Sequence, residues 1–222
     1  MASNQLLSPT FLFRFSVPCL HRKVIWSENS GSQLDEACRL PSFGAAFGQG
    51  PAFADLRAAW NENGLSFWLQ VAGKKQPPWC RPDRLEDNDG LHIWIDTRDT
   101  HNIHRASRFC HRFAFFPAGG GRSFDQPLEA QMLINRAREN ASPVPERMLQ
   151  VRSEKRVDGY RLDCHIPAAA LTGFDPNDYT RLGFFYLVQD RELGWQTFSV
   201  DNAFPFDEDP SVWGTLELVE EG

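Results

Sequence analysis

The sequence predicts an all-β fold, an antiparallel β-sandwich of the jelly-roll type. Short segments in which apolar and polar residues alternate recur along the 222 residues, as in strands with one buried face. Turn-forming pairs such as Asn63–Gly64 and Asp89–Gly90 separate these segments. The chain also has 18 Phe and 7 Trp, residues that favour strands, while extended helical periodicity is nearly absent.

The predicted strands begin near the N-terminus. FLFRFSV, within residues 10–18, has alternating Phe residues that need a core to cover, so we expect it to join the sheet. Residues 28–50 are rich in Gly and Ser and are predicted to wrap the domain as a loop. The remaining strands are LSFWLQVAG, LHIWIDT, RFAFFPA, YRLDCHIP, RLGFFYLVQ, WQTFSV and GTLELVE.

Two segments are compatible with helix. PLEAQMLINRAREN, residues 127–140, fits either one helix or a pair of strands, and AAAL, residues 168–171, fits a single helical turn. The chain shows no internal repeat, and a β-fold of this length is commonly one unit. We therefore expect a single domain over residues 1–222.

Charge and composition exclude some classes of function. A net charge of −6 and a pI near 5.5 argue against a general binder of nucleic acids or anionic membranes. No apolar run is long enough to span a bilayer. The apolar N-terminal stretch is broken by Arg14, unlike a signal peptide, and the five cysteines form no CxxC pair. These features predict a cytoplasmic protein, with secretion as the alternative if a signal was removed.

Four stretches in chain order carry a family resemblance. They are LRAAWNENGLSFWLQVAGK, EDNDGLHIWIDTRD, GYRLDCHIPAAAL, and RLGFFYLVQDRE together with PSVWGTLELVE. In order and spacing they resemble the family 9 carbohydrate-binding modules and their DOMON-like relatives, over about residues 52–220. The chain departs from that family at His92, where a carboxylate is usual, and at Asp163, where Glu is usual.

The resemblance implies a non-catalytic module that binds a sugar or polysaccharide. Family 9 modules hold a sugar between two tryptophans on loops, because aromatic faces stack on the apolar face of a pyranose. Trp79, in QPPWCRP, and Trp195, in DRELGWQTF, occupy loop positions beside polar residues and are the expected platforms. The alternative is that either tryptophan covers an edge of the core.

The segment DTRDTHNIHRASRFCHRF concentrates positive charge in an acidic chain. We expect residues 97–108 to form the loop of a β-hairpin close to the sugar cleft. Arg98, His104, Arg105 and Arg108 would then bind the carboxylate or sulfate groups of an acidic glycan. The alternative is that these arginines pair with the acidic residues just upstream.

Calcium is the cofactor that the family resemblance suggests, because carboxylate and carbonyl oxygens on sandwich loops bind it readily, although neither acidic cluster has EF-hand spacing. The candidate ligands are Asp87, Asp89 and Asp96 in one cluster and Asp207, Glu208 and Asp209 in the other. A DOMON-type haem would need an axial His or Met in the interior, and no residue is singled out for that role.

The sequence does not predict an enzyme. It contains no GxSxG, HExxH, Walker or dinucleotide-binding motif. Cys110 and His111 are adjacent in a predicted strand and would point to opposite faces, so they cannot act as a nucleophile–base pair. Two alternatives stay open: an interaction or structural domain of the same fold without sugar binding, and a metal-dependent enzyme using the His/Cys cluster of residues 101–111.

We predict that His101 and His104 bind no stoichiometric transition metal. Alternation along the second strand separates Cys110 from His111, which leaves too few convergent ligands for a closed tetrahedral site. Elemental analysis of protein purified without an affinity tag tests this. About one zinc per chain, lost on replacing both histidines, would support the metal-dependent enzyme instead.

Overall fold

The computed structural model describes residues 14–43 and 51–220, in which eleven strands form one sheet. The strands are β1 (Ser16–His21), β2 (Ala54–Asn61), β3 (Gly64–Ala72), β4 (Gly90–Asp96), β5 (Cys110–Gly120), β6 (Gln126–Met132), β7 (Gln150–Arg156), β8 (Gly159–Pro167), β9 (Arg181–Asp190), β10 (Gly194–Thr197) and β11 (Gly214–Val219). Short 3₁₀ helices occur at Glu36–Cys38, Leu85–Asp87, Ala168–Ala170 and Pro210–Val212. No helix of the described residues is long and apolar enough to cross a membrane.

The strand order explains the shape of the sheet. Its neighbours run β6-β5-β4-β9-β11-β1-β2-β3-β8-β7, and β10 pairs with residues 187–190 of β9. The two halves face each other across the core, where Phe67 of β3 stacks on Phe184 of β9 at 6.0 Å between ring centroids. The edge strands β6 and β7 also come into contact, so the sheet is nearly closed. The predicted all-β sandwich is confirmed.

One feature of the sheet differs from the expectation of a purely antiparallel fold. The N-terminal strand β1 lies between β11 and β2 and pairs parallel with both. Val17 and Cys19 alternate with exposed residues and point into the core, which satisfies the period-two pattern. The strand predicted over residues 10–18 is thus shifted towards the C-terminus, and residues 1–13 lie outside the described part of the chain.

The two ambiguous segments are resolved differently. Residues 126–132 form β6, an edge strand paired with β5, so the helix hypothesis for 127–140 is wrong. The rest of that segment forms turns and bends rather than a second strand. Ala168–Ala170 is the expected helical turn, in 3₁₀ form. Pairing of backbone groups along β5 outweighs the weak helical pattern of 127–140.

Strand β4 is buried on both faces. Leu91, Ile93 and Ile95 belong to the core between the two halves, and all seven residues of the strand are buried. The outer face of β4 is covered by two loops, residues 79–89 and residues 201–213. Within the second loop, Phe206 packs against Trp94 of β4 with ring centroids 5.6 Å apart. Glu86 of the first loop and residues 202–207 of the second loop line one cavity beside β4.

We predict that the protein loses stability between pH 7 and pH 5. Burial lowers the pKa of His92 to about 3 and the pKa values of His111 and His165 to about 4. In this pH range the unfolded chain therefore binds protons that the folded protein does not. Each histidine should remove about 2 kcal/mol of unfolding free energy by pH 5. Urea denaturation at the two pH values measures the loss.

The variant His111→Phe provides the control, because it removes one titrating ring while keeping an aromatic of similar shape beside Phe113. Its loss of stability between pH 7 and pH 5 should be smaller by about one third. Burial raises the pKa values of Asp96 and Glu129, which act in the opposite sense, and the variant separates their effect from that of the histidine. If the unfolding free energy of the wild type and of His111→Phe falls by the same amount between pH 7 and pH 5, the prediction is contradicted.

Candidate functional site

A cleft of about 580 Å³ lies at the end of the sheet where β4 begins and β9 ends. Trp79 enters it from the loop after β3, and Trp195 enters it from β10. Trp79 is half-buried, whereas 43% of Trp195 is exposed. The structure therefore places the two expected platforms, far apart in sequence, along one surface. We call this surface the tryptophan cleft.

Polar groups complete the lining of the tryptophan cleft. They come from Arg84, Glu86, Asp87, Gln189, Asp190 and Arg191. The Arg191 guanidinium lies 5.0 Å from the centre of the Trp79 ring, a cation–π contact that covers one face of the indole. A cleft with two aromatic faces and several hydrogen-bonding groups can stack on a sugar ring and bond its hydroxyls.

Glu86 is held in place by a neighbouring cation. Arg112 of β5 donates two hydrogen bonds to the Glu86 carboxylate, at 3.1 and 2.5 Å. The same guanidinium lies 4.9 Å from the centre of the Trp94 ring, beneath the covering loop. Because the fork of Arg112 fixes both carboxylate oxygens, Glu86 presents its remaining lone pairs to the cleft in a defined orientation.

A second cavity of about 400 Å³ adjoins the tryptophan cleft, and we call it the inner cavity. Glu86, Gln189 and Trp195 line both spaces. The apolar part of the inner cavity's lining comes from Trp94, Leu187, Phe204, Pro205 and Phe206, and its further polar lining comes from His92, Arg112, Asn202 and Asp207. Trp195 therefore stands at the junction between the two spaces, and the inner cavity has the richer aromatic lining.

A buried ion network connects the two loops that carry the tryptophans. Lys74 donates from Nζ to the carboxylates of Asp89 at 3.1 Å and Asp190 at 2.6 Å, and all three side chains are almost inaccessible. The Asp89 carboxylate also accepts the backbone N–H of Trp79 at 2.9 Å and that of Arg191 at 2.7 Å. A single carboxylate thus fixes the backbone at one tryptophan and at the hairpin that leads to the other.

The remaining oxygens of this network are also satisfied. The Asp190 carboxylate accepts the backbone N–H groups of Glu192 and Leu193, at 2.9 and 3.0 Å. Burial acts to lower the pKa of Lys74, but its hydrogen bonds to Asp190 and Asp89 outweigh this and raise it. Lys74 therefore stays charged. A lysine that simply follows a strand carries no sequence signal, and the prediction from sequence missed it.

The basic loop does not lie where the sequence suggested. β4 and β5 form the expected hairpin, but the loop starts after Asp96, whereas the tryptophan cleft lies at the Gly90 end of β4. Six residue steps of about 3.3 Å separate the two ends by roughly 20 Å. The prediction that this loop borders the cleft is wrong.

The side chains of the basic loop are engaged in contacts of their own. Arg98 donates to the carbonyl of Gly173 at 2.6 Å, and Arg105 donates to that of Arg136 at 2.9 Å. Their guanidinium groups therefore serve the local structure. The other two predicted ligand-binding residues lie beside carboxylates. Arg108 is 3.9 Å from Glu139, and His104 is 3.1 Å from Asp209.

The histidines and cysteines of this segment do not converge. His101 contacts Asp99 at 2.9 Å, while Cys110 and His111 are buried on opposite faces of β5. Burial raises the pKa of the Cys110 thiol to about 12, so the thiol stays protonated. Within residues 14–43 and 51–220, no group of three or more His, Cys, Asp or Glu side chains is arranged to hold a metal ion.

The first proposed calcium cluster is divided between the two ends of β4. Asp89 is bound to Lys74 at one end, and Asp96 accepts the backbone N–H groups of Arg98 and Thr100 at the other. Asp87 is exposed and closest to Arg84. The three carboxylates therefore lie apart in the described structure, each with a partner of its own. In the second cluster, Glu208 pairs with Arg136 and Asp209 with His104.

The two positions that depart from the family pattern have separate roles. His92 lies on the outer face of β4 beside the inner cavity, where burial and the Arg112 charge keep its ring neutral. Asp163 is buried in the other half of the sheet, where its carboxylate accepts hydrogen bonds from Ser32 and Arg161. Asp163 is structural, and His92 belongs to the surroundings of the site.

Solved structures of other proteins share this fold. The chain superposes on a family 9 carbohydrate-binding module from Caldicellulosiruptor kristjanssonii in complex with glucose, with a TM-score of 0.63 and 14% identity, over 94% of this chain and 97% of that one. A structure of such a module from the same organism in complex with cellotriose gives a TM-score of 0.60 and 12% identity, over 94% and 95%. No family model and no curated protein matches the sequence. The chain thus has the fold of family 9 modules.

We predict that Lys74→Met destabilises the protein by about 3–5 kcal/mol, because it leaves the buried carboxylates of Asp89 and Asp190 without their cation. Urea denaturation at pH 7 measures the change. Lys75→Met is the matched control: Lys75 is exposed, uses its backbone N–H in the loop, and should change stability by less than about 0.5 kcal/mol. Equal effects of the two substitutions would refute the importance of the network.

Proposed function

We propose that the protein is a non-catalytic module that binds a neutral sugar or polysaccharide in the tryptophan cleft. The observation that carries the proposal is that Trp79, from the loop after β3, and Trp195, from β10, line one cleft together with hydrogen-bonding side chains. The same fold binds glucose and cellotriose in the Caldicellulosiruptor modules, which supports a carbohydrate ligand here.

Each lining group has a role that fits a sugar. The indole faces of Trp79 and Trp195 stack on the C–H face of a pyranose ring, which excludes water from that contact. The Glu86 carboxylate accepts from hydroxyl groups, and Gln189, whose Nε2 donates to the backbone carbonyls of Glu86 and Asn88, offers its Oε1 as a further acceptor. Arg112 keeps Glu86 oriented when no ligand is present.

The balance of charge favours a neutral ligand over the acidic or sulfated glycan expected from sequence. Arg84 lies 3.8 Å from Asp87 in the same loop, Arg112 is paired with Glu86, and the buried Lys74 is bound to Asp89 and Asp190. Together with Arg191, four cations therefore accompany four carboxylates in and beside the cleft. This leaves no excess of positive charge to attract a carboxylate or sulfate. The arginines that suggested an acidic ligand lie at the other end of β4.

Binding without catalysis follows from the surroundings of the carboxylates. A general acid in glycoside hydrolysis needs an apolar environment that keeps it protonated near neutral pH. Glu86 is 64% exposed at its side chain and is paired with Arg112, and Asp87 is 62% exposed. Neither meets that requirement, so we assign them to hydrogen bonding.

A second candidate is an interaction domain that keeps the fold and lacks sugar binding. The contact between Arg191 and Trp79 favours it, because the guanidinium already covers one face of that platform. The variant Arg191→Ala distinguishes the two candidate functions. If the face of Trp79 that Arg191 covers binds sugar, the substitution changes the affinity for cellotriose. If the cleft is inactive, neither the wild type nor the variant binds cellotriose.

We predict that Trp195→Ala and Trp79→Ala each weaken binding of cellotriose at least about fivefold by isothermal titration calorimetry. Stacking on an aromatic face contributes about 1–3 kcal/mol, judged by base stacking on aromatic side chains. Tyr179→Ala is the matched control, because Tyr179 is exposed to a similar degree, 40% against 43%, at the opposite end of β9. Binding that survives both tryptophan substitutions would exclude the tryptophan cleft as the site.

A further inference from the structure

The inner cavity continues from the tryptophan cleft and shares Trp195 with it. The Trp195 ring meets the Phe206 ring edge-on, with centroids 6.3 Å apart and planes at 75°. Phe206 in turn packs against Trp94 and stacks on Phe185, which fixes it in the covering loop. The wall between the two spaces is therefore aromatic and well supported.

Several polar atoms of the side chains that line the inner cavity are out of reach of a ligand. Both ring nitrogens of His92, Nε1 of Trp94 and Nε of Arg112 are inaccessible, and none has a hydrogen-bond partner among the described residues. A ligand in this space therefore finds no accessible hydrogen-bonding atom on the rings of His92 and Trp94. Because burial lowers the pKa of His92 to about 3, the ring carries no charge at neutral pH.

A second sugar ring would fit this environment poorly. Its hydroxyl groups would need several hydrogen-bonding partners, and buried hydroxyls without partners are costly. Among the polar side chains that line the cavity, Glu86 and Arg112 are paired with each other, the Gln189 amide donates to backbone carbonyls, and Asn202 and Asp207 are exposed to water. A flat aromatic group needs no such partners and packs against aromatic walls.

We propose that the inner cavity binds an aromatic group attached to the sugar that occupies the tryptophan cleft, so that the natural ligand is an aryl-substituted saccharide. This rests on the proposed function, because the sugar positions the aromatic group. The volume of about 400 Å³ accommodates an aromatic ring with a short linker. Trp195 contacts both parts of such a ligand.

The test compares matched glycosides by calorimetry. Methyl and 4-nitrophenyl β-glycosides of glucose, cellobiose, galactose, mannose and xylose are titrated into the full chain. For every sugar that binds, the aryl glycoside should bind at least about tenfold more tightly, since burying a phenyl ring removes a large apolar surface from water. Equal affinities within each pair would overturn the proposal and leave the sugar-binding function standing.

Two variants separate the parts of the ligand. Ala203→Phe places a ring at the exposed edge of the inner cavity and should remove the aryl advantage without changing the affinity for the methyl glycoside. Trp79→Ala, which affects the tryptophan cleft alone, should weaken both members of a pair by the same factor. Circular dichroism and urea denaturation establish that both variants are folded.

Other outcomes have defined meanings. If cellotriose gains as much affinity over methyl glucoside as the aryl glycosides do, and Ala203→Phe removes that gain, the inner cavity is a second sugar subsite and the proposal is wrong. If no glycoside or oligosaccharide binds at millimolar concentration, the proposed function fails and the aromatic site fails with it. Aryl binding that Ala203→Phe leaves unchanged also overturns the assignment.

Discussion

The ion network around Lys74 is the interaction on which the candidate site depends. One buried ammonium group joins residues that follow β3, precede β4 and end β9. Burying these charges is costly, and the cost is offset only while every oxygen keeps its partner. The backbone N–H groups of Trp79 and Arg191 are among those partners, so the two halves of the cleft cannot shift independently.

The double burial of β4 explains why a cleft forms there. Strand β4 lies in the middle of its half of the sheet, and one of its faces packs on the core. Its other face carries His92 and Trp94, which are also buried. Two loops cover that face from opposite sides. Where their cover is incomplete, between Trp79 and Phe206, the tryptophan cleft and the inner cavity remain. The site is thus a consequence of the packing of β4.

The sequence predicted what depends on local pattern. Alternation and turn chemistry were sufficient for most of the strands, including the β4–β5 hairpin and the turn at Asn63–Gly64. Pairings between distant segments were not predicted, such as the parallel contacts of β1 with β11 and β2. The family resemblance predicts Trp79 and Trp195 as site residues. Their position at the Gly90 end of β4 depends on the pairing of β4 with β9, and no local sequence pattern encodes that pairing.

The basic loop shows why composition alone is a poor guide to a binding site. Four arginines within the fifteen residues 98–112 suggest a positive surface, yet a cation is available to a ligand only if the protein does not already use it. Arg98 lies between the rings of Phe109 and Tyr179, at 4.4 and 3.9 Å, and also donates to a backbone carbonyl. Arg112, the one arginine of the segment that reaches the site, is bound to Glu86. The charge of Arg112 is therefore compensated by Glu86. The cleft offers a ligand the oriented carboxylate of Glu86 and the faces of the two indole rings. These groups are consistent with the proposed uncharged, ring-shaped ligand.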